Sequence, residues 1–441
     1  MSKSLKLAGL ATVSILALNS AASAGGFALR EQSAVGLGNA FAGAAAGGSG
    51  LGSMFWNPAT MTNYAGINTS LSLFAIMPVS QINPTSSTSA GFQSSNGLTG
   101  SGDMAQDAVV PASYASYQVN ESVWLGVSVN TPFGLTTRNP YNWAGQAGGR
   151  TSAVRSINVT PTLAYRFNDQ LSVAAGVQVM QFRVRLTSAS AGAGTFAANA
   201  ASGELDGDDV AYGFTLGATY KPFAGTEVGI GYRSQMKPKL KGSYTTGGVS
   251  AGALSDGIAA GTYDVRSDVV LPDQITLGLR QTLTSEFTLL AGFEWAHWEK
   301  FSRFPIYTVA GVKANTLVFD YRNGWYASLG GEYKLNKAWT LRAGVGLEHA
   351  PVNDDNRTVR LPDSDRTWTS IGATYALDER MSFDVSYAHL FAKNGTITTP
   401  AAGVGTFYAD TKGRVDIFAV GVNFKLGAEP KKVTTKAMIT K

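Results

Sequence analysis

The run Trp339-Thr340-Leu341-Arg342-Ala343-Gly344-Val345-Gly346-Leu347-Glu348 alternates between apolar residues and residues that are polar, charged or glycine. Successive side chains of a β-strand point to opposite faces, so this run predicts a strand with two unlike faces. The alternation returns at residues 381–388, and from about residue 67 onward the chain consists largely of such stretches. The pattern indicates an all-β protein, and a soluble β-sandwich could also produce it.

The lengths of the links between the alternating stretches distinguish a soluble β-sandwich from an outer-membrane β-barrel. About fourteen strands are predicted, near residues 67–78, 109–119, 122–131, 153–167, 170–186, 209–222, 225–236, 269–283, 286–297, 318–334, 337–349, 366–377, 380–392 and 412–426. Short links such as 120–121 and 168–169 alternate with long loops rich in Gly, Ser and Ala, such as 79–108 and 237–268. An even number of antiparallel strands with short turns at one end and long loops at the other is typical of outer-membrane barrels.

Strand length agrees with a membrane-spanning barrel. A transmembrane strand needs about 9–11 residues, and most of the predicted strands reach or exceed that length. After the N-terminal region, no segment approaches the roughly 20 consecutive apolar residues that a membrane-spanning helix requires. The predicted fold is therefore an all-β transmembrane antiparallel β-barrel of about fourteen strands, whose closure leaves no unpaired strand edge in lipid.

The two ends of the chain differ in character from the body. Lys3 and Lys6, an apolar stretch at 7–18 and the small-residue site Ala22-Ser23-Ala24 predict a signal peptide over residues 1–24. Residues 428–441 form a basic C-terminal tail. Between these ends basic and acidic residues are equal in number, so the net charge of +5 gives no support for a nucleic-acid partner. The chain has no cysteine, which excludes disulfides and thiolate metal sites.

Residues 25–66 show no strand pattern and need a separate explanation. They are rich in Gly and Ala and contain the triplet Asn57-Pro58-Ala59. A barrel of about fourteen strands has room for a plug, and small residues suit close packing. We therefore expect an N-terminal hatch (plug) inside the lumen, followed by the barrel at 67–427; a flexible periplasmic extension is the alternative.

Several motifs resemble the FadL-like family of outer-membrane long-chain fatty-acid transporters, which also includes aromatic-hydrocarbon transporters. The resemblance is carried by Gly26-Phe27-Ala28-Leu29-Arg30-Glu31-Gln32-Ser33-Ala34, Gly36-Leu37-Gly38-Asn39-Ala40-Phe41-Ala42-Gly43, Asn57-Pro58-Ala59, Leu271-Pro272-Asp273 and the stretch 356–368. It implies a fourteen-stranded barrel closed by a hatch. In that family the ligand passes from a groove between outer loops to an apolar pocket beside the hatch, and leaves through a gap at a kinked strand. That strand maps here to 123–131, which runs into Pro132-Phe133-Gly134.

The resemblance also implies the candidate site residues. Burying each CH₂ of an alkyl chain is worth about 0.8 kcal/mol, whereas a buried carboxylate needs a cation or other hydrogen-bond donors. The family's basic pocket positions correspond to Arg183 and Arg322, which would bind the ligand; alternatively each faces water or pairs with an acid such as Asp320. Asn57, Pro58 and Ala59 would take part in hatch gating, although such a triplet is an ordinary turn in most proteins.

The sequence thus predicts uptake of long-chain fatty acids across the bacterial outer membrane. Binding in an interior apolar pocket would be followed by hatch rearrangement and lateral release into outer-membrane lipid, by a monomer that needs no cofactor or metal. The alternatives are uptake of aromatic or other uncharged hydrocarbons, a general porin, or an outer-membrane lipase. No catalytic residue is predicted, because His297, His349 and His389 lie on different predicted strands without metal-ligand spacing.

Overall fold

A computed structural model describes residues 25–92, 97–189, 202–246, 258–259, 261–401 and 405–426. Within these residues, twenty strands form a single antiparallel sheet. They are β1 (Ile67–Pro84), β2 (Ala108–Gln118), β3 (Val123–Asn130), β4 (Gly134–Arg138), β5 (Thr151–Arg166), β6 (Leu171–Ala189), β7 (Ser202–Tyr220), β8 (Thr226–Arg233), β9 (Lys239–Thr246), β10 (Gly261–Asp268), β11 (Gln274–Thr282), β12 (Phe287–Ala296), β13 (Arg303–Thr308), β14 (Lys313–Val318), β15 (Gly324–Lys334), β16 (Trp339–His349), β17 (Arg366–Ala376), β18 (Met381–Ala392), β19 (Gly395–Ala401) and β20 (Gly405–Leu426).

Fourteen of these strands close into an antiparallel barrel, which confirms the predicted architecture. Around the ring each strand pairs with the next, in the order β1, β2, β3, β5, β6, β7, β8, β11, β12, β15, β16, β17, β18 and β20, and β20 pairs back with β1. The remaining six strands lie in the predicted long loops. β1 and β20 run past their predicted ends because residues 79–84 pair with 409–414.

Side-chain hydrogen bonds fix the short turns. At Asn120, Asn168, Asn336 and Asp378, the side-chain oxygen accepts from the backbone N–H groups two and three residues later, at 2.7–2.9 Å. Thr284 makes the same pair of contacts at 3.2 and 3.0 Å. Short polar side chains favour tight turns through such bonds. These five residues therefore explain why the connections that contain them are short.

The two faces of the barrel wall differ as the alternation predicts. In β16 the side chains of Leu341, Val345 and Leu347 are exposed on the outer face, while Gly344 and Glu348 face inward. A closed ring leaves no backbone edge unpaired in lipid, and an apolar outer face suits contact with lipid chains. In the described ranges, no helix combines the length and the apolar character that crossing a membrane would take.

Residues 25–66 pack against the inward face of the wall. The segment contains the helix α1 (Ala34–Leu37) and 3₁₀ turns at Ala44–Ala46, Gly50–Phe55 and Pro58–Asn63; two further 3₁₀ turns lie at Ala90–Phe92 and Trp298–Lys300. Most of its side chains are buried. A Cβ atom built on Gly229 or Gly231 would overlap the carbonyl oxygen of Ala45 or Trp56. We call residues 25–66 the N-terminal segment; its action as a hatch stays a prediction, and residues 1–24 and 428–441 lie outside the described residues.

Candidate ligand site in the barrel interior

An apolar cluster lies at the end of the barrel that carries the long loops. The ring of Phe27 packs edge-on against Trp298 and Phe301, with centroids 5.0 Å apart in each pair, and lies 5.8 Å from Phe133. Further buried members are Leu135, Val154, Met180, Phe182, Met236, Leu240, Leu271, Phe304, Tyr321 and Leu361. The N-terminal segment and four of the long loops thus meet in an apolar interior.

The barrel wall is interrupted beside this cluster. β3 ends at Asn130 and the strand resumes as β4 at Gly134. In the gap, the Leu29 N–H donates to the Pro132 carbonyl at 2.8 Å, and the Gly134 N–H donates to the Phe27 carbonyl at 2.9 Å. Backbone groups that the sheet leaves unpaired are therefore satisfied by the N-terminal segment, as buried polar groups must be.

Arg233, the last residue of β8, is a buried cation beside this cluster. It is 7% exposed, and its guanidinium lies 4.0 Å from the ring centroid of Phe55. It donates to the Phe55 carbonyl at 3.0 Å and to the Gln178 side-chain oxygen. Among the residues that the structure describes, no carboxylate forms an ion pair with Arg233. The charge of Glu294 acts on Arg233 without forming an ion pair with it. A buried charge that lacks a directly paired counter-ion is costly, so this position suits an anionic ligand.

The interior beside Arg233 and Gly25 is closed in this conformation. A cavity of about 20 Å³ lies beside Arg233, lined with Leu29, Phe133, Met180 and Met236. A second cavity, of about 30 Å³, lies beside Gly25. Cavities of this size have room for about one or two water molecules, so neither holds an alkyl chain until side chains move.

A buried charge network holds the start of the N-terminal segment. Arg30 pairs with Glu294 at 3.1 Å, Arg366 pairs with Glu348 at 3.6 Å, and the Gly25 N–H donates to Glu348 at 2.6 Å. Glu31 lies within the same network, and burial raises the pKa of its carboxyl to about 7. One of its carboxyl oxygens is buried without a hydrogen-bond partner. The network is therefore sensitive to the protonation of Glu31.

The two arginines predicted from the sequence lie elsewhere. Arg183 is on the outward face of β6, its side chain is 58% exposed, and it donates to both carboxyl oxygens of Asp206 at 2.9 and 3.2 Å. Arg322 precedes β15 instead of lying within it, and it contacts the Asp365 carboxylate at 3.4 Å and the Ala350 carbonyl at 3.1 Å. The structure does not bring them together with Arg233, and their ligand-binding role stays a prediction.

The triplet Asn57-Pro58-Ala59 begins a 3₁₀ turn deep in the interior. The Asn57 side-chain oxygen accepts from the Ala59 N–H at 3.0 Å. Its amide nitrogen donates to the carbonyls of Ala45 at 2.7 Å and Ala218 at 2.9 Å, so the turn is tied both to the N-terminal segment and to β7. The triplet therefore links the rest of the N-terminal segment to the barrel wall. Its gating role stays a prediction.

Arg233 was missed by sequence reasoning although a signal was present. In the run 226–233, Glu227, Gly229, Gly231 and Arg233 share the face that carries small and charged residues. That face points inward, because Gly229 and Gly231 contact the N-terminal segment. Placing charged residues on the glycine-bearing faces of the strands would have identified Arg233 as an interior cation.

Residues 15–426 match the model of a family described as outer membrane protein transport protein (OMPP1/FadL/TodX). The chain is 28% identical to a "47 kDa outer membrane protein" of Pasteurella multocida, with 92% of this chain and 95% of that protein covered. It is 23% identical to a "long-chain fatty acid transport protein" of Salmonella typhi, with coverage of 93% and 97%.

Solved structures show the same fold. A FadL homologue of Pseudomonas aeruginosa superposes with a TM-score of 0.82 at 21% identity, covering 90% of this chain and 99% of that one. The toluene transporter TodX of Pseudomonas putida superposes with a TM-score of 0.62 at 18% identity, with coverage of 87% and 98%. Both similarities concern the barrel architecture.

Proposed function

The chain belongs to the outer membrane protein transport family (OMPP1/FadL/TodX), and from this premise we propose that it takes up long-chain fatty acids across the bacterial outer membrane. The family carries hydrophobic small molecules through that membrane, and its members are transporters or channels. A relative named for long-chain fatty acid transport matches this chain over 93% of its length. The nature of the cargo is the part that we propose.

Arg233 is the observation that carries the proposal. A fatty acid joins an alkyl chain, which gains about 0.8 kcal/mol per buried CH₂, to a carboxylate that needs a cation when buried. The interior offers both, since Arg233 has no carboxylate partner among the described residues and Phe133, Met180 and Met236 surround it. An arginine fork can hold a carboxylate through two parallel hydrogen bonds.

The proposed route uses the interruption between β3 and β4. The N-terminal segment acts as a hatch, and its displacement would break the bonds of Leu29 and Phe27 to the wall at residues 132–134. The freed gap then opens sideways from the apolar cluster, so that a lipid-like cargo enters outer-membrane lipid without crossing water. The protein would act as a monomer.

Uptake of aromatic hydrocarbons is the second candidate. Phe27, Phe133, Trp298 and Phe301 form an interior that could receive a neutral aromatic ring. The solved relative TodX is titled a toluene transporter. Such a cargo needs no cation, so Arg233 would have no role in binding it.

Binding titrations separate the two candidates. Oleate, methyl oleate and toluene are titrated into the purified mature protein in detergent, as wild type, Arg233→Met and Arg233→Lys. Loss of a charge-assisted contact costs about 1.5–3 kcal/mol, so we expect Arg233→Met to weaken oleate binding about ten- to hundredfold. Methyl oleate lacks the carboxylate charge, so its affinity should remain unchanged, and Arg233→Lys should retain part of the oleate affinity.

The outcomes have distinct meanings. Saturable oleate binding that depends on Arg233, with unchanged methyl oleate binding, supports the fatty-acid proposal. Toluene binding that is indifferent to Arg233, together with no saturable oleate binding, favours the hydrocarbon transporter. Ion conductance of the wild type in planar bilayers would indicate an open aqueous porin instead.

A further inference from the structure

The residue that follows the predicted signal peptide lies inside the buried charge network. Cleavage after Ala24 would make Gly25 the first residue of the mature chain. The Gly25 nitrogen donates to Glu348 Oε1 at 2.6 Å, and the Gly26 N–H donates to Asp363 Oδ2 at 2.7 Å. Both acidic residues are buried. The predicted chain end is therefore in contact with buried carboxylates.

Two glycines allow the backbone to approach these carboxylates closely. Gly26 has a φ of +73°, in the left-handed region that favours glycine, and an added Cβ would lie 3.0 Å from the Trp298 ring. A Cβ added to Gly25 would lie 3.1 Å from Glu348 Oε1. The pair Gly25-Gly26 thus suits a chain end that is directed at the network.

Acidic groups outnumber basic groups in the described part of this network. Two guanidiniums, those of Arg30 and Arg366, face four buried carboxyl groups, those of Glu31, Glu294, Glu348 and Asp363. Arg233 acts on Glu294 without forming an ion pair with it. A buried carboxylate is costly unless a cation or donors compensate its charge. The network therefore favours a further cation.

The chemical state of the Gly25 nitrogen decides whether it supplies that cation. In a chain that retains its signal peptide, this nitrogen belongs to a neutral peptide bond and has a single N–H. In the cleaved chain it is an α-amino group, which is mostly protonated at neutral pH. Hydrogen bonds between ionised partners are short, at about 2.7–2.9 Å, and roughly twice as strong as neutral ones. The 2.6 Å contact with Glu348 therefore suits the charged form.

The other contacts of Glu348 leave this position to the chain end. Arg30 lies 3.9 Å from Oε1, while Oε2 accepts from Trp368 Nε1 at 2.9 Å and lies 3.6 Å from Arg366. Among the contacts between described residues, the Gly25 nitrogen is the nearest donor to Oε1. A charge at Gly25 would therefore act mainly on Glu348.

The same chain end precedes the residues that close the barrel wall. Phe27 packs in the aromatic cluster, and backbone hydrogen bonds join Phe27 and Leu29 to residues 132–134, between β3 and β4. Gly25 is two residues from Phe27, so a fixed Gly25 limits the movement of Phe27.

We propose that removal of the signal peptide creates an α-ammonium at Gly25, and that its buried ion pair with Glu348 completes the closure of the wall at residues 132–134. Hydrolysis of the peptide bond between Ala24 and Gly25 consumes water, and it leaves a carboxylate on Ala24 and an ammonium on Gly25. In the uncleaved chain the contact with Glu348 lacks this charge, so the closure is weaker. The proposal rests on the predicted cleavage site and does not depend on the nature of the cargo.

The test compares two chains that differ by one residue at the start. Both are produced without the signal peptide and refolded into detergent micelles, one beginning at Gly25 and the other at Ala24, and mass spectrometry confirms each first residue. In the chain that begins at Ala24, the Gly25 nitrogen is a neutral amide. The ammonium then lies one residue further along the chain, away from its position beside Glu348.

Hydrogen–deuterium exchange measures the closure directly. The Leu29 N–H donates to Pro132 and the Gly134 N–H donates to Phe27, so both amides exchange only when the contact opens. Loss of a charge-assisted contact should make their exchange about ten- to hundredfold faster in the chain that begins at Ala24. Amides in the middle of β16 should exchange equally in both chains, which shows that the barrel is intact.

Two substitutions show whether the effect belongs to Glu348. Glu348→Gln removes the proposed partner, so in this background the added Ala24 should change the exchange of Leu29 and Gly134 little. Glu294→Gln is the matched control, because it removes a buried carboxylate of the same network that pairs with Arg30 at 3.1 Å. In the control background the added Ala24 should still accelerate exchange.

Each outcome decides the proposal. Equal exchange in the two unsubstituted chains overturns it, and this comparison remains available if Glu348→Gln does not fold. An undiminished effect of Ala24 in Glu348→Gln would attribute the effect to crowding at the chain end, and would overturn the ion pair. Mass spectrometry of the protein exported with its own signal peptide should find Gly25 as the first residue, and a different first residue overturns the proposal as well.

Discussion

The N-terminal segment contacts the barrel wall in two different ways along its length. Residues 34–63 lie close against inward-facing glycines, and at Gly229 and Gly231 the contact is made by the backbone of Ala45 and Trp56. Residues 25–33 are held by side chains, with Phe27 in an aromatic cluster and Arg30 in a charge network, and by backbone hydrogen bonds of Phe27 and Leu29 to residues 132–134. At Gly229 and Gly231 the nearest atoms of the first part are backbone carbonyl oxygens, which cannot move aside as a side chain could. The second part depends on contacts that a ligand or a proton could replace.

This difference assigns the two parts different roles in the proposed transport cycle. Close-packed interiors transmit strain instead of yielding, so the part on glycines should remain in place. Aromatic rings and ion pairs can be exchanged for equivalent contacts with a cargo. We therefore expect movement to begin near Phe27 and Leu29, where the segment also closes the gap between β3 and β4.

The largest effect should follow from disturbing the glycine contact. In Gly231→Ala the added methyl would overlap the Trp56 carbonyl, a backbone atom that cannot rotate away. Overpacking of this kind costs about 1–3 kcal/mol and occasionally more, and we expect the upper end of that range. The loss of stability is measured as a lower midpoint of urea unfolding in detergent micelles. Unfolding is observed as the loss of β-structure.

Gly203→Ala is the matched control for that experiment. Gly203 lies in β7 and an added Cβ would meet its nearest neighbour, Ser188 Oγ, at an ordinary distance of 3.5 Å. Its unfolding midpoint should stay close to that of the wild type. Equal midpoints for Gly231→Ala and wild type would show that residues 34–63 yield as easily as the start of the segment.

An intermediate effect on the stability of the folded protein is expected from a change of pH. It acts through Glu31, which lies in residues 25–33 of the N-terminal segment. Burial raises the pKa of its carboxyl to about 7, from an ordinary value of 4.5, and the charges of Arg30, Glu348 and Arg366 act on it as well. A raised carboxyl pKa means that the folded state favours the protonated form. The stabilisation is full below pH 4.5 and is lost as the pH rises through 7, with a maximum of about 3 kcal/mol.

Glu31→Gln removes this titration and imitates the protonated form. The unfolding midpoint of the variant should change less between pH 5 and pH 8 than that of the wild type, and should exceed it at pH 8. Glu379→Gln, in an exposed short turn, should follow the wild-type curve. A wild-type profile that Glu31→Gln reproduces in full would place the titrating group elsewhere.

The barrel wall could be predicted from the sequence because each strand and each short turn is determined by residues that are close together in the chain. Alternation and turn residues such as Asn120 and Asn336 act within a few positions, and the predicted strands match those of the ring apart from their ends. The extensions of β1 and β20 are produced by distant pairing. Residues 79–84 and 409–414 form strand because they meet each other, which no local pattern records.

The candidate site was harder to predict, because an arginine's role depends on its partners. Alternation could have placed Arg183 on the outward face and Arg233 on the inward one. Nothing local reveals that Asp206 pairs with Arg183, or that a loop residue such as Arg360 is buried beside Gly149. The family pattern named candidate cations, and the three-dimensional environment distinguishes those with a carboxylate partner from those without one among the described residues.

The smallest effect should come from substituting Arg183 and Arg322, which already pair with carboxylates. Exposed ion pairs are worth about 0–1 kcal/mol, so Arg183→Ala should leave both unfolding and oleate affinity almost unchanged. Arg322→Ala removes a contact to Ala350, beside the start of the N-terminal segment, and we expect at most a threefold change in oleate affinity, about 0.7 kcal/mol. The same titrations that test Arg233 measure this. A tenfold loss in Arg322→Ala would mean that Asp365 gives up its arginine when the ligand arrives, and that the carboxylate binds at the start of the segment instead of beside β8.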